Sequence, residues 1–332
     1  MLDVDIEVDR REFTVAARFH VAPGERLAFF GMSGAGKTTV LEVIAGLLSP
    51  RRGHVAVAGR TLTQTGPPSH SVPVWRRRVG LLRQDPALFP HLSVRQNLSY
   101  ARGAASRDAE LAELAQRLGI DGLLDARPAA LSGGQAHRVA LARLLLAHCE
   151  ALLLDEPYTG LDSVSRRQLT MVLRELVAAR GIPAVLVAHE LAEAQAFADR
   201  IAVLDRGTII QIAAPHEIVR RPAARRVAEL VGYRGFAPVA ADGSAAVAGV
   251  HPGRVQAGAH PAAGVVLRGT IEAWRPLGAG WEADIDVAGS QIYCHFAEQA
   301  AAEGEPLTFT AIDAPVFGAN GQLLPRTEEV RA

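Results

Sequence analysis

Lysine is almost missing from this chain of 332 residues: 34 of its 35 basic residues are arginine, and Lys37 is the single exception. Cysteine is nearly as scarce. Cys149 and Cys294 are far apart and carry no motif, so inert thiols in a reducing compartment are expected rather than a disulfide framework or a thiolate metal site. No apolar stretch approaches the roughly 18 residues needed to span a bilayer. The opening Met1-Leu2-Asp3-Val4-Asp5 is acidic and alternating, unlike the basic start and apolar run of a signal peptide. A soluble chain is expected, one that meets a membrane only through a partner. Basic excess is lacking too, since the formal net charge is zero. A nucleic-acid binder would usually show a marked basic patch, so no nucleic acid is expected as a partner.

That zero hides an asymmetry. Residues 236–332 hold five arginines against eleven acidic residues, a net of −6, and residues 1–235 carry the balancing +6. Length and this break imply two domains, 1–234 and 235–332.

What is present is concentrated around the lone lysine. Gly31-Met32-Ser33-Gly34-Ala35-Gly36-Lys37-Thr38 has the spacing of a phosphate-binding loop. A compact ammonium suits a tight loop around phosphates better than a planar guanidinium does. The apolar run Arg26–Phe30 precedes the loop and Thr38–Leu47 reads as a helix, giving the strand–loop–helix context that such a loop requires. Leu2–Val8 and Phe13–Phe19 alternate as half-buried antiparallel strands, while Ala151–Leu154 and Ala184–Ala188 are continuous apolar runs suited to a buried parallel sheet. Between these runs, Leu169, Val172, Leu173, Leu176 and Val177 mark one face of a crossover helix. Residues 100–130 read as helical, within a helical subdomain of about 85–146. Phe236–Pro261, rich in Gly, Ala and Pro, reads as linker plus one weak strand. Strand-like segments follow at Val265–Trp274, Trp281–Val287, Gln291–Phe296 and Pro306–Ile312, with turns at Gly278–Gly280 and Gly289-Ser290. Together they suggest a small all-β barrel.

Further features follow the loop in fixed order. They are Gln84 after an apolar strand, Leu131-Ser132-Gly133-Gly134-Gln135 before a helix, Asp155-Glu156 ending a strand, Gly160-Leu161-Asp162 at a turn, and His189 closing the next strand. This order closely resembles the ATP-binding cassette (ABC) ATPases over about residues 1–230. The resemblance implies an α/β P-loop NTPase with a mostly parallel central sheet, an antiparallel β subdomain and a helical insertion. A small all-β OB-like domain of the TOBE or Mop type would follow.

The chemistry of each residue supports that resemblance. Amides from Gly31, Ser33, Gly34, Ala35, Gly36 and Lys37 suit a phosphate cradle. The Thr38 hydroxyl and Asp155 carboxylate, with Gln84, suit Mg²⁺, a hard cation. Glu156 is placed to activate water, His189 to donate to a γ-phosphate, and Gln84 to sense nucleotide state. Thr39 touches the α-phosphate in the family. Ser132, Gly133, Gly134 and Gln135 offer a second anion site at a helix start. The family pattern implies that these residues, with Asp162, complete the site of a second copy, so that two ATP molecules are held in a head-to-tail dimer. The usual adenine-stacking aromatic has no clear counterpart. Phe13 is in phase with Val15 and Phe19 and is expected in the core, leaving Arg10 or Arg11 as alternatives.

One cassette with a β tail and no fused membrane helices resembles the ATPase subunit of a binding-protein-dependent importer. Such a subunit would sit on the cytoplasmic face of the membrane, held there by permease subunits and served indirectly by a solute-binding protein. Arg77-Arg78-Val79-Gly80, Gln84-Asp85, Leu88-Phe89-Pro90-His91 and Asn97-Leu98-Ser99-Tyr100 resemble the molybdate branch. Sulfate, ferric iron, polyamine or sugar are the alternative solutes, and a soluble ATPase acting on nucleic acid or the ribosome is the competing class. Pro261-Ala262-Ala263-Gly264 stands where related oxyanion modules carry a Ser-Ala-Arg-Asn-type segment, so the tail is expected to stabilise a dimer rather than to sense substrate.

Overall fold

The computed structural model describes residues 1–100, 108–241, 244–325 and 330–331. Two compact units divide between Pro215 and His216.

In the first unit, β1 (Leu2–Asp9), β2 (Thr14–Val21) and β3 (Arg26–Phe30) lead into α1 (Lys37–Ala45). Then come β4 (Arg52–Val57), β5 (Arg60–Gln64), β6 (His70–Ser71) and β7 (Val79–Leu82). A helical segment follows with α2 (Val94–Tyr100), α3 (Asp108–Arg117) and α4 (Gly133–Leu146). The unit closes with β8 (Ala151–Asp155), α5 (Ser163–Arg180), β9 (Ala184–Val187), α6 (Leu191–Phe197), β10 (Arg200–Asp205) and β11 (Thr208–Ala213).

One mixed sheet of eleven strands orders these as β6-β5-β4-β1-β2-β11-β10-β3-β9-β8-β7. The block β10-β3-β9-β8-β7 is parallel throughout. Its strands β8 and β9 are buried at every position, which is why they read as uninterrupted apolar runs. The crossover helix α5 between them buries Leu169, Val172, Leu173 and Val177. The β1–β2 and β1–β4 pairs are antiparallel, and their inward residues, such as Val4, Ile6, Val15 and Phe19, join the core that supports α1. The alternation seen in the sequence is therefore one face of a half-buried sheet.

The helical expectation for residues 100–130 holds for α3. It then gives way at Gly119, which adopts φ 62, to short turns around Asp121–Leu123 and Pro128–Ala130. Residues 101–107 lie outside the described residues. Among the described residues no helix is long and apolar enough to cross a membrane.

The second unit begins at His216, the second residue of α7 (Pro215–Arg220), and continues with α8 (Arg225–Leu230). After these come β12 (Gly235–Ala241), β13 (Ser244–Val250), β14 (Val255–Ala257), β15 (Gly264–Leu277) and β16 (Gly280–Val287). The last strands are β17 (Ser290–Phe296), β18 (Pro306–Ile312), β19 (Val316–Gly318) and β20 (Val330–Arg331). Two sheets result, ordered β19-β13-β12-β20 and β14-β18-β15-β16-β17. One core includes Ala237, Ala248 and Val250 from the first sheet with Leu267, Ile285 and Phe309 from the second. The β16–β17 hairpin turns through Ala288 and Gly289, both at positive φ, the backbone that a tight two-residue turn demands.

The expectation of a linker at Phe236–Pro261 is overturned. Gly235–Ala241 and Ser244–Val250 pair antiparallel along their length, and Val255–Ala257 adds a strand beside β18. Ala, Gly and Pro are poor strand formers by propensity, which hid the alternation of Ala237, Val239, Ala246 and Ala248 toward the core. Small residues are needed there by packing. A Cβ on Gly235 would come within 2.6 Å of the Ile292 side chain.

Candidate functional site

The strand β3 ends where the chain must pass hard against a neighbour. A Cβ on Gly31 would lie 2.1 Å from the Leu204 carbonyl oxygen, so only glycine fits. Gly36 adopts φ 103 immediately before α1, and a Cβ there would meet Val15 at 2.8 Å. No side chain caps the start of α1. Its first-turn amides and positive dipole end are thus directed at whatever occupies the loop.

Lys37 is only 7% exposed, and its ammonium donates to the carbonyls of Gly31 at 2.7 Å and Met32 at 3.0 Å. Burial pulls its pKa down, and the carboxylates of Glu156 and Asp155 oppose that shift. Thr38 donates from its hydroxyl to Asp155 Oδ1 at 3.1 Å. Burial raises the Asp155 pKa, helped by Glu156 and Glu42 and opposed by Thr38 and Lys37. A desolvated carboxylate beside a second one is a place where a cation relieves repulsion. The Thr38 hydroxyl bonded to Asp155, and the side-chain amide of Gln84 bonded to the neighbouring Glu156, bring together oxygen-bearing groups that fit Mg²⁺.

Glu156 follows β8 in a left-handed conformation, φ 49, an uncommon backbone for a non-glycine residue. Gln84, two residues beyond β7, donates from its amide to Glu156 Oε2 at 3.3 Å. Two residues past β9, His189 is exposed and its backbone N–H is held by Glu193 at 3.1 Å. Gly31, Gln84, Asp155, Glu156 and His189 therefore all stand at the carboxyl ends of parallel strands, where open α/β sheets bind ligands.

A cleft of about 620 Å³ opens beside the loop, lined by Asp9–Phe13, Ser33, Gly34, Gly36, Lys37, Thr38, Thr39 and Glu156. Phe13 packs partly into the core beneath β2 and also lines the cleft, as Arg10 and Arg11 do. Ser132, Gly133, Gly134, Gln135 and Asp162 do not line it. Ser132 instead caps α4 reciprocally with Gln135: its Oγ accepts from the Gln135 N–H at 3.3 Å, and Gln135 Oε1 accepts from the Ser132 N–H at 2.9 Å. Asp162 caps α5 by accepting from the amides of Val164 and Ser165, each at 2.9 Å. A Cβ on Gly134 would lie 3.4 Å from the Gly160 carbonyl oxygen, so these two turns sit side by side on one surface.

Two supports went unread in the sequence. Arg77 is 2% exposed, and among the described residues no carboxylate pairs with it. Its guanidinium donates to Val72, Val43 and Ile44 carbonyls and to Thr63 and Ser71 hydroxyls at 2.8 to 3.3 Å. It thereby binds the carbonyls at the far end of α1. Nothing in the run Arg76-Arg77-Arg78 distinguishes the middle arginine. The other support joins Arg166 to Glu193, with Nη1 and Oε1 3.1 Å apart. Of this pair, only the three-residue spacing of Glu190 and Glu193, usual at a helix start, was readable.

Residues 16–159 match the family model described as "ABC transporter". The chain is 40% identical over 226 residues to the Fe(3+) ions import ATP-binding protein FbpC of Mesorhizobium japonicum, covering 67% of this chain and 62% of that one. It is 40% identical over 265 residues to the molybdenum import ATP-binding protein ModC of Mycobacterium tuberculosis, covering 77% of this chain and 69% of that one. An ATP-binding cassette seen as a dimer in a post-hydrolysis state with ADP and Pi superposes with a TM-score of 0.56 at 25% identity, covering 65% of this chain and 99% of that one.

Proposed function

Because the chain belongs to the ABC transporter family and is an ATPase, we propose that it is the motor subunit of an importer, working as a head-to-tail dimer and driving uptake of an oxyanion, molybdate first. The observation that carries the catalytic part is the convergence of Lys37, Thr38, Asp155 and Glu156 where β3 and β8 end.

The loop amides of Ser33, Gly34, Ala35, Gly36 and Lys37 bind the β- and γ-phosphates, and the Lys37 ammonium exchanges its carbonyl partners for phosphate oxygens. Thr39, buried in the first turn of α1, is assigned to the α-phosphate. Thr38, Asp155 and Gln84 are the residues that would hold Mg²⁺, which supplies charge neutralisation to the phosphate oxygens when bound. Glu156 accepts a proton from the attacking water, and Gln84, already hydrogen-bonded to it, orients both. His189 donates to the γ-phosphate and stabilises charge as the terminal bond breaks.

Ser132, Gly133, Gly134, Gln135 and Asp162 are assigned to the site of a second copy. Support comes from their absence among the residues lining the P-loop cleft, from their position on one surface, and from the dimeric relative. The Ser132 hydroxyl accepts from its own helix and keeps its proton free to donate to a phosphate. Nucleotide then acts as interface glue, and hydrolysis releases it.

The permease partner and a cytoplasmic-face location follow from the importer reading. The all-β unit is assigned as a TOBE-like, OB-type domain with its boundary at 234/235, supported by the two sheets that share one core from β12 onward. Molybdate is put first on the likeness of Arg77–Gly80, Leu88–His91 and Asn97–Tyr100 to the molybdate branch; the relatives include molybdenum, Fe(3+) and sn-glycerol-3-phosphate import proteins alike.

Glu156→Gln tests the catalytic assignment. The variant binds ATP, fails to hydrolyse it and accumulates as a dimer by size-exclusion chromatography. A monomer with wild-type turnover refutes both the base and the sandwich. Reconstitution with a permease, asking which solute-loaded binding protein stimulates hydrolysis, tests the solute. Stimulation by ferric iron alone would overturn molybdate.

A further inference from the structure

His189 and the turn Gly160–Asp162 are 27 residues apart in sequence, yet one arginine and one carboxylate tie them together. Arg166, in the first turn of α5, donates from Nη2 to the Leu161 carbonyl at 3.4 Å. Its Nη1 lies 3.1 Å from Glu193 Oε1 and 3.2 Å from Glu190 Oε2. The other oxygen of Glu193 accepts from the backbone N–H of His189 at 3.1 Å and of Glu190 at 3.3 Å. Glu193 is 8% exposed, and a carboxyl group so buried needs the paired, hydrogen-bonded geometry it has here. Beneath it the buried Tyr158 hydroxyl lies 3.0 Å from Thr170 Oγ1, which in turn donates to the Arg166 carbonyl at 2.8 Å. Burial pushes the Tyr158 phenol up to about 12, so it stays neutral.

A carboxylate needed only to start α6 would use one amide. Glu193 instead also fixes the amide of His189 and meets an arginine whose second hand grips the turn before α5. That turn abuts the glycine pair at the start of α4. We infer that Arg166 and Glu193 are positioning residues for the ATPase reaction: they set the His189 backbone in register with the Leu161 turn, so that His189 reaches the γ-phosphate only when that turn is correctly placed. The link runs through the Arg166–Glu193 ion pair, with hydrogen bonds at its two ends to the Leu161 carbonyl and the His189 amide, contacts to charged groups that can carry a displacement of the turn to the histidine. Small misplacement of a catalytic group costs turnover more than it costs binding.

The inference rests on the assignment of His189 to the γ-phosphate, and a double-mutant cycle on the full chain separates the two. Arg166→Met is expected to lower kcat for ATP by about tenfold or more, with KM for ATP changed by less than about twofold. In a His189→Ala background, Arg166→Met adds no further loss, because the residue it positions is gone. Glu193→Gln, which keeps an oxygen for both amides but loses the charge for Arg166, gives the same pattern and serves if Arg166→Met does not fold. Losses that multiply in the double variant, or a KM that rises in step with the fall in kcat, overturn the relay and leave the site assignment standing. Wild-type turnover in His189→Ala overturns the assignment and the relay together.

Discussion

Helices α1 and α4 both present their amino ends to the proposed chemistry, and they begin in opposite ways. The first turn of α1 starts after a left-handed glycine with no side-chain cap, whereas α4 starts with a complete reciprocal box between Ser132 and Gln135. Unmet amides next to a buried ammonium form a surface that a phosphate chain completes, so the α1 end is built around its ligand. The α4 end is satisfied by its own residues and remains in shape with or without one. The difference matches a division of labour. One end captures nucleotide within a chain, and the other is a rigid face offered to a second chain.

The largest effect that would break this comparison is on binding. Lys37→Ala is expected to weaken ATP binding to the dilute monomer by about a hundredfold, while Ser132→Ala leaves it within about twofold. Equal losses in isothermal titration would erase the distinction.

Next in size is the far end of α1. Arg77→Met removes the one side chain that, among the described residues, hydrogen-bonds the Val43 and Ile44 carbonyls, and leaves the buried Thr63 hydroxyl without its donor. Denaturant melts should show about 2 to 4 kcal/mol of destabilisation. Arg77→Lys recovers only part of this, since one ammonium cannot reach all five acceptors. An unchanged midpoint would mean that the guanidinium carries no stability.

Glycines sharpen the contrast with a smaller signal. Gly36→Ala forces a left-handed alanine against Val15 and should cost about 1 to 3 kcal/mol. Gly133→Ala, with nothing within 4 Å of the added Cβ, should change stability by less than about 0.5 kcal/mol.

The smallest expected effect is a pH dependence in α4. His137 is 6% exposed, and its Nε2 has no hydrogen-bond partner. Burial lowers its pKa below the usual 6.5. The unfolded chain therefore takes up a proton before the folded one does, so stability is intact above pH 6.5 and declines as pH falls from there toward the folded pKa. His137→Gln should flatten that slope in thermal melts between pH 7 and 5.5. An unaltered slope would show that His137 does not titrate there.

Local physics explains which parts could be read in advance. Lys37, Thr38, Asp155 and Glu156 were legible because loop chemistry and strand ends are encoded by neighbouring residues, β8 and β9 because burial on both faces leaves plain apolar runs, and α5 because one buried face leaves a helical period. Arg77 reaches Thr63 and Val43 across 14 and 34 residues, and Arg166 reaches Glu193 across a similar distance, separations at which nothing in the local pattern announces a partner. The β12–β13 hairpin was misread because its strands are chosen for small volume against Ile292 and Phe317, and packing overrode propensity.

The central claim is that each catalytic site takes its P-loop from one chain and its Ser132 turn from another. Two variants test it directly, Lys37→Ala and Ser132→Arg, both carrying Glu156→Gln to block turnover, assayed singly and mixed by size-exclusion chromatography with labelled ATP. In a mixed dimer, an intact P-loop from one chain faces an intact turn from the other. A dimer that retains ATP should therefore form in the mixture and in neither variant alone. Failure of the mixture to dimerise, or ATP-bound dimers of either variant by itself, would contradict the shared site.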